Sequence, residues 1–219
     1  MSTAFAGSAM TWERLLDTWR ELQVPEGWRP ELTAEAIQMT PPPGGKHNLI
    51  ADLVDDALRR ARPAGRGIFQ TLGVGIRATG SIYVPGLCVV PRDAVPDNSD
   101  PVPAEHALLV VEITSPSDGE HDRKKKKWAY AHGGIPQYLL IDAYDEDGPA
   151  VSLFTEPVQD VYSRTVRVPR AAGRDRRAVR GPVGDHRVLS RCPPTGRSAR
   201  RTRSCGPRSR ATSATRSTA

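Results

Sequence analysis

The sequence has little cysteine, no long apolar run and, in its last fifty residues, no lysine at all. Each absence excludes something. The three cysteines, Cys88, Cys192 and Cys205, form no C-x-x-C pair. That argues against a structural zinc site and for a reducing, cytoplasmic setting. Cys88 stands in an apolar segment and is expected to pack inside a strand. No stretch is apolar for the length needed to cross a bilayer, so no membrane partner is expected. The opening MSTAFAGSAM lacks a basic region and a long apolar core, so no signal peptide is expected.

Charge divides the chain in two. From Arg170 to Ala219 there are 14 Arg and two acids, Asp175 and Asp185, a net charge of +12. The whole chain is +6, so residues 1–169 carry 17 basic and 23 acidic residues, or −6. The basic character therefore belongs to the tail alone. Its Arg, Ser, Thr, Pro, Ala and Gly content cannot build a core and reads as disordered. Two origins stay open: an Arg-rich arm that binds nucleic-acid backbones, or an off-frame translation of GC-rich coding sequence. Residues 1–169 are long enough for one core and read as a single domain.

Within that domain, Thr11 to Gln23 reads as an amphipathic helix. Thr11 is its N-cap, and Trp12, Leu15, Leu16, Trp19 and Leu22 form its apolar stripe. Leu32 to Met39 reads as a strand, followed by the loop PPPGG. His47 to Arg62 reads as a second helix with Leu49, Ile50, Leu53, Val54, Ala57 and Leu58 facing inward. Gly67 to Ala78 and Ser81 to Val90 read as strands. Arg92 to Glu105 is polar and Pro-rich, a connector rather than a flap. Val151 to Thr155 and Val161 to Val168 read as a closing hairpin. These elements fit an α/β sheet with a partly antiparallel edge.

The rest is organised around LLVVEITSPSDGEHDRKKKKWAYAHGGIPQYLLID, Leu108 to Asp142. A β-branched strand comes first, then turn residues, a helix from about His121 to His132 stopped by Gly133-Gly134, and a second strand, Tyr138 to Ile141. This is a βαβ unit. Alternation puts Val110, Glu112 and Thr114 on one face of the first strand and Leu109, Val111 and Ile113 on the other. Glu112 either sees water near a strand end or lies buried, where an ionised carboxylate needs a cation or a metal. Lys124 to Lys127 read chiefly as a solvated face. Asp122, Lys126 and Tyr130, four apart, share one side of the helix, so Lys126 can stand beside Glu112. Asp122 is expected to cap the helix start, and Tyr130 and Tyr138 to pack between helix and sheet.

VPGLCVV, VVEITSPS, DRKKKKWAY and GGIPQYLLID together resemble the Uma2 family of putative restriction endonucleases, over about Val24 to Val168. The resemblance implies a PD-(D/E)XK nuclease-like fold, a mixed β-sheet flanked by helices. It further implies endonucleolytic hydrolysis of DNA phosphodiester bonds with Mg²⁺ or Mn²⁺ as cofactor. DNA is then the partner, with a homodimer open. Residue by residue, Glu112 matches the second metal-binding acid and Lys126 the catalytic lysine, here on the helix because the Glu-x-Lys position holds Thr114. Glu31 matches an acid near the site, and His47 the histidine opening the next helix. Lys124, Lys125 and Lys127 are candidate nucleic-acid contacts. The first metal acid belongs just after Pro85, where this chain has Gly86. The resemblance therefore implies either a nuclease in which Glu31 or Asp93 replaces the missing ligand, or an inactive nuclease fold that binds nucleic acid or protein.

Overall fold

The computed structural model describes residues 2–4, 11–115 and 119–169. The Arg-rich tail and two of the three cysteines lie outside the described residues. Among the described residues two six-stranded sheets pack together with three α-helices, where the sequence suggested one central sheet.

The first sheet comprises β1 (Ser2–Ala4), β2 (Arg29–Leu32), β3 (Ala36–Thr40), β5 (Val74–Ile76), β6 (Ser81–Tyr83) and β8 (Val102–Pro103), in the order β1-β3-β2-β6-β5-β8. The second comprises β4 (Arg66–Phe69), β7 (Leu87–Pro91), β9 (Leu109–Ile113), β10 (Gln137–Asp142), β11 (Ala150–Val158) and β12 (Val161–Pro169), in the order β12-β11-β10-β9-β7-β4.

The two long strands read from Gly67 to Ala78 and from Ser81 to Val90 are in fact each split between the sheets. The first breaks between Phe69 and Val74, where Thr71 takes a left-handed φ of 59°. The second breaks at Val84-Pro85-Gly86. Proline and glycine weaken a continuous ladder, so the chain leaves one sheet there and joins the other. Leu32 to Met39 is likewise not one strand. Thr33 accepts bonds from the Glu35 and Ala36 N–H groups through its hydroxyl, turning the chain into the β2–β3 hairpin. The Arg92–Glu105 connector is tied down: Val102 is wholly buried, and Arg20 forms an ion pair with Asp100 at 2.7 Å.

Helix α1 (Trp12–Glu21) starts where expected, with Thr11 Oγ1 accepting from Arg14 N at 3.3 Å. Leu15 buries against Leu32 and Ile82, with Trp12, Leu16, Trp19 and Leu22 around them. Helix α2 (Gly45–Ala61) buries a narrower face than its six apolar residues suggest. Ile50, Ala51, Val54 and Leu58 pack on the second sheet, while Leu49 and Leu53 are 68% and 69% exposed. At 100° per residue, positions 49 and 53 lie outside the arc that a flat sheet can cover.

The βαβ unit forms as read. Strands β9 and β10 run parallel, with Glu112 registered on Leu140. A π-helical turn, His121–Lys126, leads into α3 (Lys127–His132). Gly133 N–H closes α3 on Ala129 C=O, and Gly134 takes the left-handed φ of 71° that glycine tolerates best. Val110 of β9 packs with Tyr130 and Tyr138 on one side, and Leu109, Val111 and Ile113 pack towards α2 on the other. Cys88 is buried and free, and burial pushes its thiol up to about 12.

Candidate active site

Glu112 is buried although it lies near a strand end: it is 4% exposed and the fourth of the five residues of β9. Its Oε1 accepts from Tyr130 OH at 2.7 Å and from Lys126 Nζ at 3.2 Å, two residues one helical turn apart. The same ammonium reaches Glu31 Oε1 at 2.5 Å and Asp122 Oδ1 at 3.2 Å. Three carboxylates from three elements thus converge on one lysine. Glu31 comes from β2 in the first sheet, Glu112 from β9 in the second, and Asp122 with Lys126 from the π-helical turn between them. Such turns are rare and concentrate at functional sites. The Tyr83 ring lies 5.7 Å from the ammonium, and His121 Nε2 approaches Glu31 Oε2 at 3.9 Å.

The electrostatics follow from burial. Burial opposes the Lys126 charge, but Glu112, Glu31 and Asp122 together outweigh it and hold the ammonium well above its ordinary pKa. Burial raises Glu31, which Lys126 only partly offsets and Glu112 reinforces. Burial also lifts Asp122 to about 8, against the pull of Lys126. Tyr130 is raised by burial and then by Glu112, so it keeps its proton and donates.

A neighbouring network anchors the helix. Asp142, at the end of β10, accepts from Arg123 Nη2 at 2.9 Å, Thr114 Oγ1 at 3.0 Å and Tyr144 N at 2.9 Å. Burial works against its charge, but these partners, Arg123 first, hold its pKa below the usual carboxylate range. Thr114, at the position where a lysine was expected, is therefore committed to Asp142. Asp122 does not cap the helix as expected; its carboxylate turns inward to Lys126. An inward ammonium draws it more strongly than solvated backbone N–H groups.

A cavity of about 410 Å³ opens onto this cluster. Glu31, Glu112, Asp122 and Lys126 line it, as do His47, Arg29 and Lys46. The structure thus brings Glu31, His47, Glu112 and Lys126 together. Lys124 and Lys125 are exposed and off the cavity; Lys124 pairs with Glu120 at 2.9 Å, and Lys127 lies over the Phe154 ring at 5.0 Å. Asp93 is exposed in a short turn and does not line the cavity. Gly86 precedes Leu87, which pairs with Val111 in antiparallel register, so Gly86 falls opposite Glu112 on the same face. A Cβ there would sit 3.2 Å from Val111 O. Arg29 and the Arg123–Asp142 pair escaped sequence reasoning. Arg29 lies two residues before Glu31 in a strand, and that period-2 spacing was the available signal.

Two mixed sheets with flanking helices set a buried glutamate of one sheet and another of the second beside a helix-borne lysine, a mixed α/β fold. The chain belongs to the Uma2 family of putative restriction endonucleases, whose family model matches residues 16–179. Among solved structures it resembles a putative nuclease belonging to DUF820 from Anabaena variabilis ATCC 29413. The identity is 19% and the TM-score 0.52, over 72% of this chain and 83% of that one. No curated protein matches the sequence.

Proposed function

We propose that this chain is built to hydrolyse DNA phosphodiester bonds with the help of a divalent cation, and that Gly86 weakens it for that task. The observation that carries the reading is the Lys126 ammonium held among Glu31, Glu112 and Asp122 on the wall of an open cavity.

The donor chemistry fits a hard cation. The three acids offer only carboxylate oxygens, and a bound cation would draw Glu31 and Asp122 towards their charged forms, against the burial that raises them. Among the described residues no three His, Cys, Asp or Glu stand as a ready metal cage. Mg²⁺ is commonly held by one or two carboxylates together with waters and substrate phosphate. Glu112 and Glu31 would hold Mg²⁺ or Mn²⁺. The chemistry such an ion supplies is charge on the scissile phosphate and a more acidic water.

The chain's own residues do the rest. Lys126, kept as an ammonium, is a poor base; it donates to the attacked phosphate and stabilises the charge that builds there. Tyr130 fixes the Glu112 carboxylate from behind, and Asp122 fixes Lys126 from the preceding turn. An aspartate at position 86 would stand beside Glu112 and add a further ligand across the strand pair.

Gly86 also favours a second reading: an inactive nuclease fold that still binds nucleic acid or a protein. Plasmid cleavage in Mg²⁺ or Mn²⁺ separates the two, comparing the parent with Glu112→Ala and Gly86→Asp. Cleavage by the parent, lost in Glu112→Ala, is the expected result for a live site. Cleavage by Gly86→Asp alone marks a nuclease disabled at one position. Silence from parent and Gly86→Asp alike sinks the nuclease reading. The aspartate must first push Val111 O away by a few tenths of an ångström, so a melting curve accompanies that variant.

A further inference from the structure

We infer that Arg29 and His47 form a phosphate receptor in the cavity, taking a nucleic-acid backbone phosphate next to the one attacked beside Lys126. The choice of nucleic acid as its source rests on the nuclease reading; the receptor itself rests on the geometry that follows.

Arg29 and Glu31 are two apart on β2, so their side chains leave the same face of the strand. Across the hairpin, Thr40 is registered on Arg29 and Gln38 on Glu31. All four line the cavity, which makes one face of the hairpin its wall. The two charges on that wall have different fates. Glu31 is taken by Lys126 at 2.5 Å. Arg29 has no ion pair among the described residues, and its Nε is buried without a hydrogen-bond partner. His47, in the first turn of α2, repeats the pattern: it lines the same cavity and its buried Nδ1 has no hydrogen-bond partner among the described residues.

Buried polar atoms are nearly always satisfied by a protein group or by water, and these two share one cavity that a ligand with acceptor oxygens can enter. A guanidinium with an unpaired edge matches phosphate oxygens through its planar fork. The Arg29 charge is felt by both neighbours. Burial lowers the His47 pKa and Arg29 lowers it further; Arg29 also pulls against the raised pKa of Glu31. Glu31 turns its Oε1 to Lys126 and forms no ion pair with Arg29 among the described residues, and an incoming phosphate can pair with that guanidinium. Lys46 lines the same cavity and adds positive charge at its rim. A cavity of about 410 Å³ has room for a phosphate and part of its nucleotide.

The test uses the full chain, with Arg29→Met, Arg29→Lys, His47→Gln and, as a control far along α2, Arg60→Met. Binding of a labelled 16-base-pair duplex is followed by fluorescence anisotropy over a range of salt, without divalent cation so that no cutting intervenes. Inorganic phosphate is titrated in parallel while the His47 ring is watched by NMR. Arg29→Met is expected to weaken duplex binding about tenfold at low salt and to reduce the salt slope by about one. Arg29→Lys restores the slope but only part of the affinity, because an ammonium lacks the fork. Arg60→Met binds as the parent does. If Arg29→Met melts early, Arg29→Lys and His47→Gln carry the comparison. Unchanged binding of both duplex and phosphate in Arg29→Met and His47→Gln overturns the proposal. A parent that ignores the duplex, yet shows an Arg29-dependent response of His47 to phosphate, keeps the receptor and sinks the nucleic-acid source. A parent that responds to neither overturns both.

Discussion

Replacing Lys126 with methionine tests whether the buried cluster is held by charge or by packing. Methionine keeps much of the lysine stem and removes the ammonium that Glu31, Glu112 and Asp122 share. All four residues are 5% exposed or less, so water from the cavity replaces the lost partner only in part. Breaking a buried ion pair strands its partner and costs about 3–5 kcal/mol. A small domain is stable by only about 5–15 kcal/mol, so the variant should sit close to unfolding. With a urea m-value of about 2 kcal/mol/M, the midpoint at pH 8 should fall by about 2 M. The sign with pH is fixed by the carboxylates. Glu31 and Asp122 already bind protons more tightly folded than unfolded, and losing Lys126 pushes both further up. Groups raised on folding favour the folded state at low pH and stop doing so as pH climbs through the folded pKa. At pH 5 the stranded acids take up protons, and the midpoint loss should be less than half that at pH 8. Equal losses at both pH values would refute the charge argument and leave packing as the cause.

Two further expectations concern the same region. Asp122→Asn should add little at pH 5 and raise the melting temperature at pH 9. The native aspartate favours the fold only while protonated, and that contribution disappears as pH rises through about 8; a gain at pH 5 as large as that at pH 9 would contradict this. Arg123→Met should cost about 2 kcal/mol in urea unfolding at pH 7, the size of charge-assisted hydrogen bonds to a buried carboxylate. Asp142 is held low when folded, so its contribution is present at neutral pH and fades in acid. The cost should therefore shrink at pH 3, and a cost that persists there would point to lost packing.

Local pattern made much of this protein legible. The β-branched run from Leu108 and the glycine pair after His132 located the βαβ unit within a residue or two. Four-residue spacing put Asp122, Lys126 and Tyr130 on one side of the helix, and alternation gave the two faces of β9, because helical and strand periods are backbone properties. What pattern could not give was the partition of strands between sheets. The turns at Thr71 and at Pro85-Gly86 are visible as breaks, but not the sheet each resumes in. Pattern also overestimated the buried face of α2, since Leu49 and Leu53 are apolar wherever the sheet happens to end.

The site divides in the same way. Sequence alone supplied the types and local faces of Glu112 and Lys126, and the family resemblance marked Gly86 as the position of a missing acid. Only the tertiary structure decided that Glu112 is buried, that Glu31 arrives from 95 residues away to share its lysine, and that Arg29 Nε has no hydrogen-bond partner among the described residues. Periodicity acts over one turn or one strand, whereas the charge on a buried group depends on every element packed around it.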